Sequence, residues 1–385
     1  MERELAQSIN PMRIQWCLDD RGVDVAICAA ETGIAEKTLS KALAGEPALS
    51  FTQLAKLAEY FGRGVLFFLE QDPISESEVY SPAFRTLTNQ KPELSPRLRS
   101  LIQRVERQRQ VFLSLRENID DDDAPKFRAP KLPRHDIQAA AASARKWLGL
   151  TDRNTFETYR QALEAKGILV FRSNGYNGKW QIAKSSPILG FSLYDETCPV
   201  IFVRKTRVEA RQSFTLMHEL AHILIDRRSW IDDEDDIQDG KGSEQNANEF
   251  AGMVLVPNTF LARVRDNERP GDVSGYDAWL ADHCRQWGVS SEVILRRLLR
   301  AGRLTKTQYS AYRRWRQSLE AKQEESGGSR EYRHREPKHV FGEPFVRVVL
   351  ESLGNKRITL NRASTFLDNL KIKDLHLLEQ HCAGL

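Results

Sequence analysis

Two histidines four residues apart enclose a glutamate in the pentapeptide His218-Glu219-Leu220-Ala221-His222. On a helix, positions four apart lie one turn above each other on one face. The two imidazoles can therefore meet a single Zn²⁺ while Glu219 reaches the ion's open position. A catalytic zinc takes three protein ligands, so a third must be found. About twenty residues further on, Glu244-Gln245-Asn246-Ala247-Asn248-Glu249-Phe250-Ala251 reads as a second helix. Its apolar face holds Ala247, Phe250, Ala251, Val254 and Leu255, and Glu244 and Asn248 share a different one. Glu244 is the expected third ligand, because Glu249 lies roughly 140° further round, beside the core residue Phe250. Asn248, one turn beyond Glu244, is placed to orient an imidazole. The chemistry of such a site is hydrolysis. Zinc brings the pKa of water toward neutrality and polarises a peptide carbonyl, while Glu219 takes the water's proton and hands it to the leaving amine.

These groups need a scaffold. Short strand-like runs, Ile188–Tyr194 and Pro199–Arg204, precede the motif, and the apolar run Phe214–Ile225 buries the histidines in a small domain. Upstream lie two expected helices, Ile137–Leu148 and Thr155–Lys166, and the strand Ile168–Phe171; downstream, Ser291–Gly302 and Thr307–Leu319 return to helix. The acidic stretch Asp232–Asp236 reads as a solvated loop, since its carboxylates share no helical face with the histidines. His135, His283, His334, His339, His376 and His381 lack ligand spacing.

Several segments together resemble the ImmA/IrrE family of zinc metallopeptidases. They are Gly190-Phe191-Ser192, Pro199-Val200-Ile201-Phe202-Val203, the run Arg211–His222, and Glu244-x-x-Ala247-Asn248-x-Phe250-Ala251 ending in Leu255-Val256-Pro257. The resemblance covers roughly residues 131 to 320. It implies that His218, His222 and Glu244 bind zinc, that Glu219 is the catalytic glutamate, and that the domain is zincin-like, α+β with a small sheet. Val256 stands where the family often has Met, an apolar exchange with no catalytic consequence. Family members cut a partner repressor, often a helix-turn-helix protein, in answer to DNA damage or a mobile element.

The first seventy residues follow another pattern. Apolar positions in Ile14–Leu18, Val25–Ala30, Ile34–Leu43 and Leu54–Phe61 recur at helical spacing, broken at Arg21-Gly22, Thr32-Gly33 and Gly45-Glu46-Pro47. A bundle of four or five short helices is expected. Ala29–Ile34 followed by Thr38–Gly45 resembles the XRE/Cro-type helix-turn-helix, whose second helix enters the major groove of double-stranded DNA. Leu39 and Leu43 would face the core, leaving Glu36, Lys37, Ser40 and Lys41 as candidate contacts to an operator. Charge speaks against a strong grip, since residues 1 to 70 carry seven Lys/Arg against ten Asp/Glu. Residues 81 to 117, with eight basic and three acidic side chains, can compensate, as can a homodimer. A protein-docking module is the alternative for this domain.

At 385 residues and 41% hydrophobic content the chain exceeds one ordinary core. Our reading is a multidomain, mainly α protein: an all-α helix-turn-helix bundle at 1–75, a basic helix and acidic linker at 76–130, the peptidase domain at 131–320, a flexible linker at 321–337 and a small helical tail at 338–385. The basic helix is Ser95–Arg116, with Leu98, Leu101, Ile102, Val105, Phe112 and Leu115 as its stripe, and Asp120–Pro125 is the acidic linker. Five cysteines without paired spacing, no signal-peptide pattern and no apolar run long enough for a membrane lead us to expect a reducing, cytoplasmic setting. Residues 296 to 338 hold thirteen basic and five acidic residues with Tyr309, Tyr312, Trp315 and Tyr332 interleaved. That mixture suits single-stranded nucleic acid as an activator. Amphipathic helices with inward aromatics explain it more simply. The expected protein partner is a helix-turn-helix repressor as substrate. Long proteins with this domain order also resemble antitoxins, which would act by binding a cognate toxin and operator DNA.

Overall fold

The computed structural model describes residues 9–74, 81–91, 94–117, 125–133, 135–174, 178–183, 185–233, 242–320 and 330–382. Most of the acidic linker, residues 234 to 236 of the acidic stretch and most of the expected linker before the tail therefore lie outside the described residues. Over the rest the protein is mainly helical, with one small four-stranded mixed sheet in its central region. No helix among the described residues is long and apolar enough to cross a membrane. The chain divides into two compact units, Met1–Arg104 and Val105–Leu385.

The first unit begins with four short helices, α1 (Pro11–Arg21), α2 (Val25–Thr32), α3 (Glu36–Leu43) and α4 (Phe51–Phe61), and a 3₁₀ turn at Val65–Phe68. Their ends are written into the sequence. Asn10, Asp24 and Ser50 cap helix N-termini with their side chains, and Ser50 and Gln53 form a reciprocal capping box. Gly22, Gly33 and Gly62 close C-termini in the left-handed conformation. Ile14, Leu18, Ile34, Leu39, Leu54, Leu57 and Phe68 form the core. On α3 the buried pair is Leu39 and Ala42, three residues apart; Leu43, expected inside, is only half-buried. Two further helices follow, α5 (Pro82–Gln90) and α6 (Pro96–Glu117), the latter running on past Arg104 into the second unit, and the expected apolar stripe of α6 is buried along its whole length.

The second unit contains α7 (Ile137–Leu148), α8 (Phe156–Glu164), β1 (Leu169–Arg172), β2 (Ile188–Leu193), β3 (Val200–Val203), α9 (Glu209–Ala221), β4 (Trp230–Asp233), α10 (Ser243–Leu255), α11 (Tyr276–Trp287), α12 (Ser291–Arg300), α13 (Lys306–Glu320), α14 (Glu336–Gly354), α15 (Leu360–Phe366) and α16 (Ile372–Cys382). The sheet order is β1-β3-β2-β4, with β1 parallel to β3 and the other pairs antiparallel. Its apolar strands are buried on both faces, as their continuous hydrophobic runs require. Helix α9 packs on β2 and β3 and against α10, and α10 in turn lies on α7, so both motif helices are held in one core.

The far edge of the sheet is closed by the C-terminal region. Helix α14 lies against β1, with Phe171 packed edge-to-face on Phe341 (5.7 Å) and Phe345 (5.8 Å). The buried guanidinium of Arg160 ties α8 to both elements, donating to Glu164 Oε1 (3.0 Å), Val170 O (2.6 Å) and His339 O (3.0 Å). Helix α14 breaks at Gly342 (φ 79°, ψ 168°), directly over this pair. A Cβ there would collide with Glu164 Oε1, so a glycine is the residue that fits.

Candidate metal centre

Helix α9 is buried almost continuously from Gln212 to Ala221, which is why its sequence reads as apolar all round its motif. After Ala221 the backbone widens into a single π turn, His222–Asp226, closed by Arg227 in the left-handed conformation. Such turns interrupt helices at functional sites more often than elsewhere. Here the turn sets Asp226 under His222, with Asp226 Oδ2 2.7 Å from His222 Nδ1, and the same oxygen accepts from Ser243 Oγ at 2.7 Å. The His222 ring also stacks on Trp230 at 4.6 Å. His218 is oriented in a parallel way, its Nδ1 3.1 Å from Asn248 Oδ1 on α10.

These two contacts decide the tautomers. With each Nδ1–H donated to an oxygen, both Nε2 lone pairs point inward, and the two Nε2 atoms lie 3.2 Å apart. Two facing lone pairs at that distance call for a cation between them. Glu244 Oε2 stands 3.1 Å from His218 Nε2, and Glu244 Oε1 stands 3.7 Å from His222 Nε2. Asp232 Oδ2 completes the group, 3.1 Å from His218 Nε2 and 3.6 Å from His222 Nε2. One ligand atom from each of the four residues lies within 4.8 Å of all the others. Bonds of about 2.0–2.1 Å to a tetrahedral Zn²⁺ imply ligand separations of roughly 3.3–3.4 Å, close to those seen, so the residues present fit the ion.

Glu219 is the remaining member. It is 0% exposed, as are His218, His222 and Asp232, and among the described residues neither of its carboxylate oxygens has a hydrogen-bond partner of good geometry. Burial, followed by the charges of Asp232 and Glu244, holds its carboxyl well above the usual range. Burial alone would also raise Asp232, but His218 and His222 bring it below the usual range instead. Before a metal binds, the same coupling lifts His218: burial disfavours its charge, Asp232 and Glu244 outweigh burial, and a proton competes with a metal ion for its Nε2. Space for Glu219 comes from strand β2. A Cβ at Gly190 would lie 2.7 Å from Thr215 Cγ2, 2.9 Å from Phe202 O and 3.0 Å from Glu219 Oε1.

Of the residues singled out in the sequence, His218, Glu219, His222, Glu244 and Asn248 come together here, whereas Glu249 turns away to pair with Arg300. The reading of Asp232 as part of a solvated loop is wrong. Asp232 belongs to β4, is fully buried, and faces the histidine pair, because β4 pairs with β2 and sets Asp232 opposite Gly190. Asp226 was also missed, although its position four residues after His222 is the same spacing that revealed the motif. Glu36, Lys37, Ser40 and Lys41 are all exposed on α3, with Lys41 Nζ 3.5 Å from Glu46 Oε2. In the basic segment, Tyr312 is buried and donates to Asp277 Oδ1 at 2.7 Å, Tyr309 bonds to Glu292, and Arg297 and Arg303 donate to backbone carbonyls.

No curated protein matches the chain. Residues 163–299 match the family model for Peptidase M78, the IrrE N-terminal-like domain. The matched segment carries every residue of the buried cluster and is similar to a metallopeptidase-type domain.

Proposed function

We propose that this chain is a zinc-dependent endopeptidase joined to a DNA-binding helix-turn-helix, and that it cleaves a partner repressor in a stress, mobile-element or phage-defence response. The observation that carries the peptidase reading is the pair of inward-facing Nε2 atoms, 3.2 Å apart and flanked by buried carboxylates, beside a wholly buried Glu219. Zinc, when bound, supplies the Lewis acidity that polarises a peptide carbonyl and acidifies water. The chain's residues do the rest. His218, His222 and Glu244 hold the ion, while Asn248 and Asp226 fix the imidazole tautomers through Nδ1. Glu219, wholly buried beside the ligands, takes a proton from the attacking water and delivers it to the leaving nitrogen.

For the first unit, the support is the exposure of Glu36, Lys37, Ser40 and Lys41 along one face of α3, opposite the buried Leu39 and Ala42. That face is offered to the major groove of operator DNA, with a homodimer or the basic α6 adding the contacts that the acidic balance of residues 1 to 70 withholds. The test is to incubate full-length protein and Zn²⁺ with the product of the neighbouring gene and to map the fragments. Cleavage by the wild type and not by Glu219→Gln, which keeps the metal but loses the base, is the expected result. Tight binding of the neighbour without cleavage would replace this reading with that of an antitoxin.

A further inference from the structure

Three protein ligands leave a zinc ion one position for water, and four leave none. In this site the two carboxylates are nearly equivalent. Asp232 lies 3.1 and 3.6 Å from the two Nε2 atoms, and Glu244 lies 3.1 and 3.7 Å from them. Among the described residues, no donor other than the two imidazoles accounts for Asp232 being there. It is fully buried, and among the described residues no backbone N–H and no side chain other than the imidazoles and Glu219 beside it meets its oxygens. An isolated buried carboxylate is costly, so the groups it faces, the two imidazoles and what they hold, must compensate it.

Its backbone places it deliberately. Trp230 and Asp232 lie two apart on β4 and so point to the same face, one stacking on His222 and the other reaching its Nε2. Yet among the described residues β4 is an edge strand, paired with β2 alone, and its register is irregular between Ile188 and Gly190. An edge held on one side is the easiest part of a sheet to move. Glu219 sits beside Asp232.

We propose that Asp232 is a fourth protein ligand that keeps the metal in a closed, latent state, and that activation withdraws it on β4 so that water can occupy the vacated position next to Glu219. This inference rests on the metallopeptidase reading above. The step is a ligand exchange, with carboxylate leaving and water entering, and involves no change of oxidation state.

The test uses the full-length protein loaded with Co²⁺ and acetohydroxamate as the probe of an open position. The wild type should show a visible spectrum that acetohydroxamate leaves unchanged, whereas Asp232→Ala should show one that the probe shifts. Chelator competition should find metal held at least about tenfold more weakly by the variant, the scale on which removing a metal-site partner acts. Asp232→Asn, which keeps the side-chain volume, serves if the alanine variant does not fold. A wild type that responds to acetohydroxamate as readily as either variant, at equal metal affinity, would overturn the latch while leaving the metallopeptidase reading intact. If neither the wild type nor the variants bind Co²⁺ or Zn²⁺, the metallopeptidase reading fails and the latch falls with it.

Discussion

A single methyl group added at Gly190 probes how tightly β2 is pressed against α9. The new Cβ would meet Thr215 Cγ2 at 2.7 Å, Phe202 O at 2.9 Å and Glu219 Oε1 at 3.0 Å, where carbon prefers about 3.5–4.0 Å. None of the three neighbours yields easily. The carbonyl belongs to strand β3, paired in register with β2; Thr215 is a buried, β-branched residue of α9; and Glu219 is enclosed. Overpacking of this kind costs about 1–3 kcal/mol. Against it stands a gain of about 0.4–1 kcal/mol, because alanine has less freedom to lose from the unfolded chain than glycine. Three such contacts at once place the overpacking cost in the upper half of its range, so the net expectation for Gly190→Ala is a destabilisation of roughly 1–2.5 kcal/mol, about 2–10 °C in the unfolding midpoint of a domain this size. Thr215→Ser removes the closest atom, so in that background Gly190→Ala should cost about 1 kcal/mol less, a coupling that thermal or urea unfolding of the four proteins measures. A Gly190→Ala protein as stable as the wild type, or one equally destabilised in both backgrounds, would refute the packing argument.

Four other outcomes follow from the same geometry. Asn248→Ala and Asp226→Ala should each lower zinc affinity by roughly 10–100-fold in chelator competition, because each frees an imidazole Nδ1 to take the wrong tautomer. Stripping the metal should lower the unfolding midpoint of the wild type in scanning calorimetry, and re-added Zn²⁺ should restore it. Glu164, which burial pushes up to about 7 against the opposing pull of Arg160, binds its proton more tightly folded than unfolded. Its contribution to stability is therefore full below the unfolded value near 4.5 and lost as pH rises through about 7; unfolding curves across that window should fall by a few kcal/mol at most for the wild type and flatten for Glu164→Gln. On DNA, Lys37→Ala combined with Lys41→Ala should weaken binding to the upstream region about tenfold or more and reduce its salt slope in gel-shift titrations.

How far the site could be read from the chain depended on whether its parts are local. The spacings that bring His218 to His222 and Glu244 to Asn248 are helical repeats, and a helix fixes such neighbours within one turn. The choice of Glu244 over Glu249 needed only the position of the apolar face, and the structure puts Glu249 beside Arg300. Asp232 could not be found that way. It reaches the histidines because a four-residue strand, half of it acidic, pairs with β2 and places Asp232 opposite Gly190, a long-range pairing that no local periodicity records. Asp226 fell just beyond the apolar run that marked the helix, and the π turn that aims it leaves no simple signature in residue type. Gly190 itself carries no chemistry, so its sequence gives no hint of the space it leaves for Glu219. The helical bundle of the first unit was legible because its caps and left-handed glycines are local signals, and Leu43 was misplaced by one position on a helix of only two turns.

Those long-range placements also explain why the centre is set in a core rather than in an open cleft of polar loops. Glu219, Glu244 and Asp232 place three acidic groups around two imidazoles, with Glu219 and Asp232 wholly removed from water. Unpaired carboxylates in such surroundings cost several kcal/mol each, far more than one helix end or one surface ion pair contributes. A dication at the histidine pair offsets that cost directly, so metal affinity and the stability of the α9–α10 core draw on the same interactions. The fold then has a physical reason to favour the metal-bound state even when water is kept from it. A fourth ligand, Asp232, adds to that preference as long as it stays on the ion. Catalysis requires the opposite, an open position beside Glu219, and β4 is the one of the four ligand-bearing segments that is neither a helix nor continuous with one. Stability of the centre and its activity are thus set against each other at Asp232, while His218, His222 and Glu244, carried on packed helical segments, can serve both states unchanged.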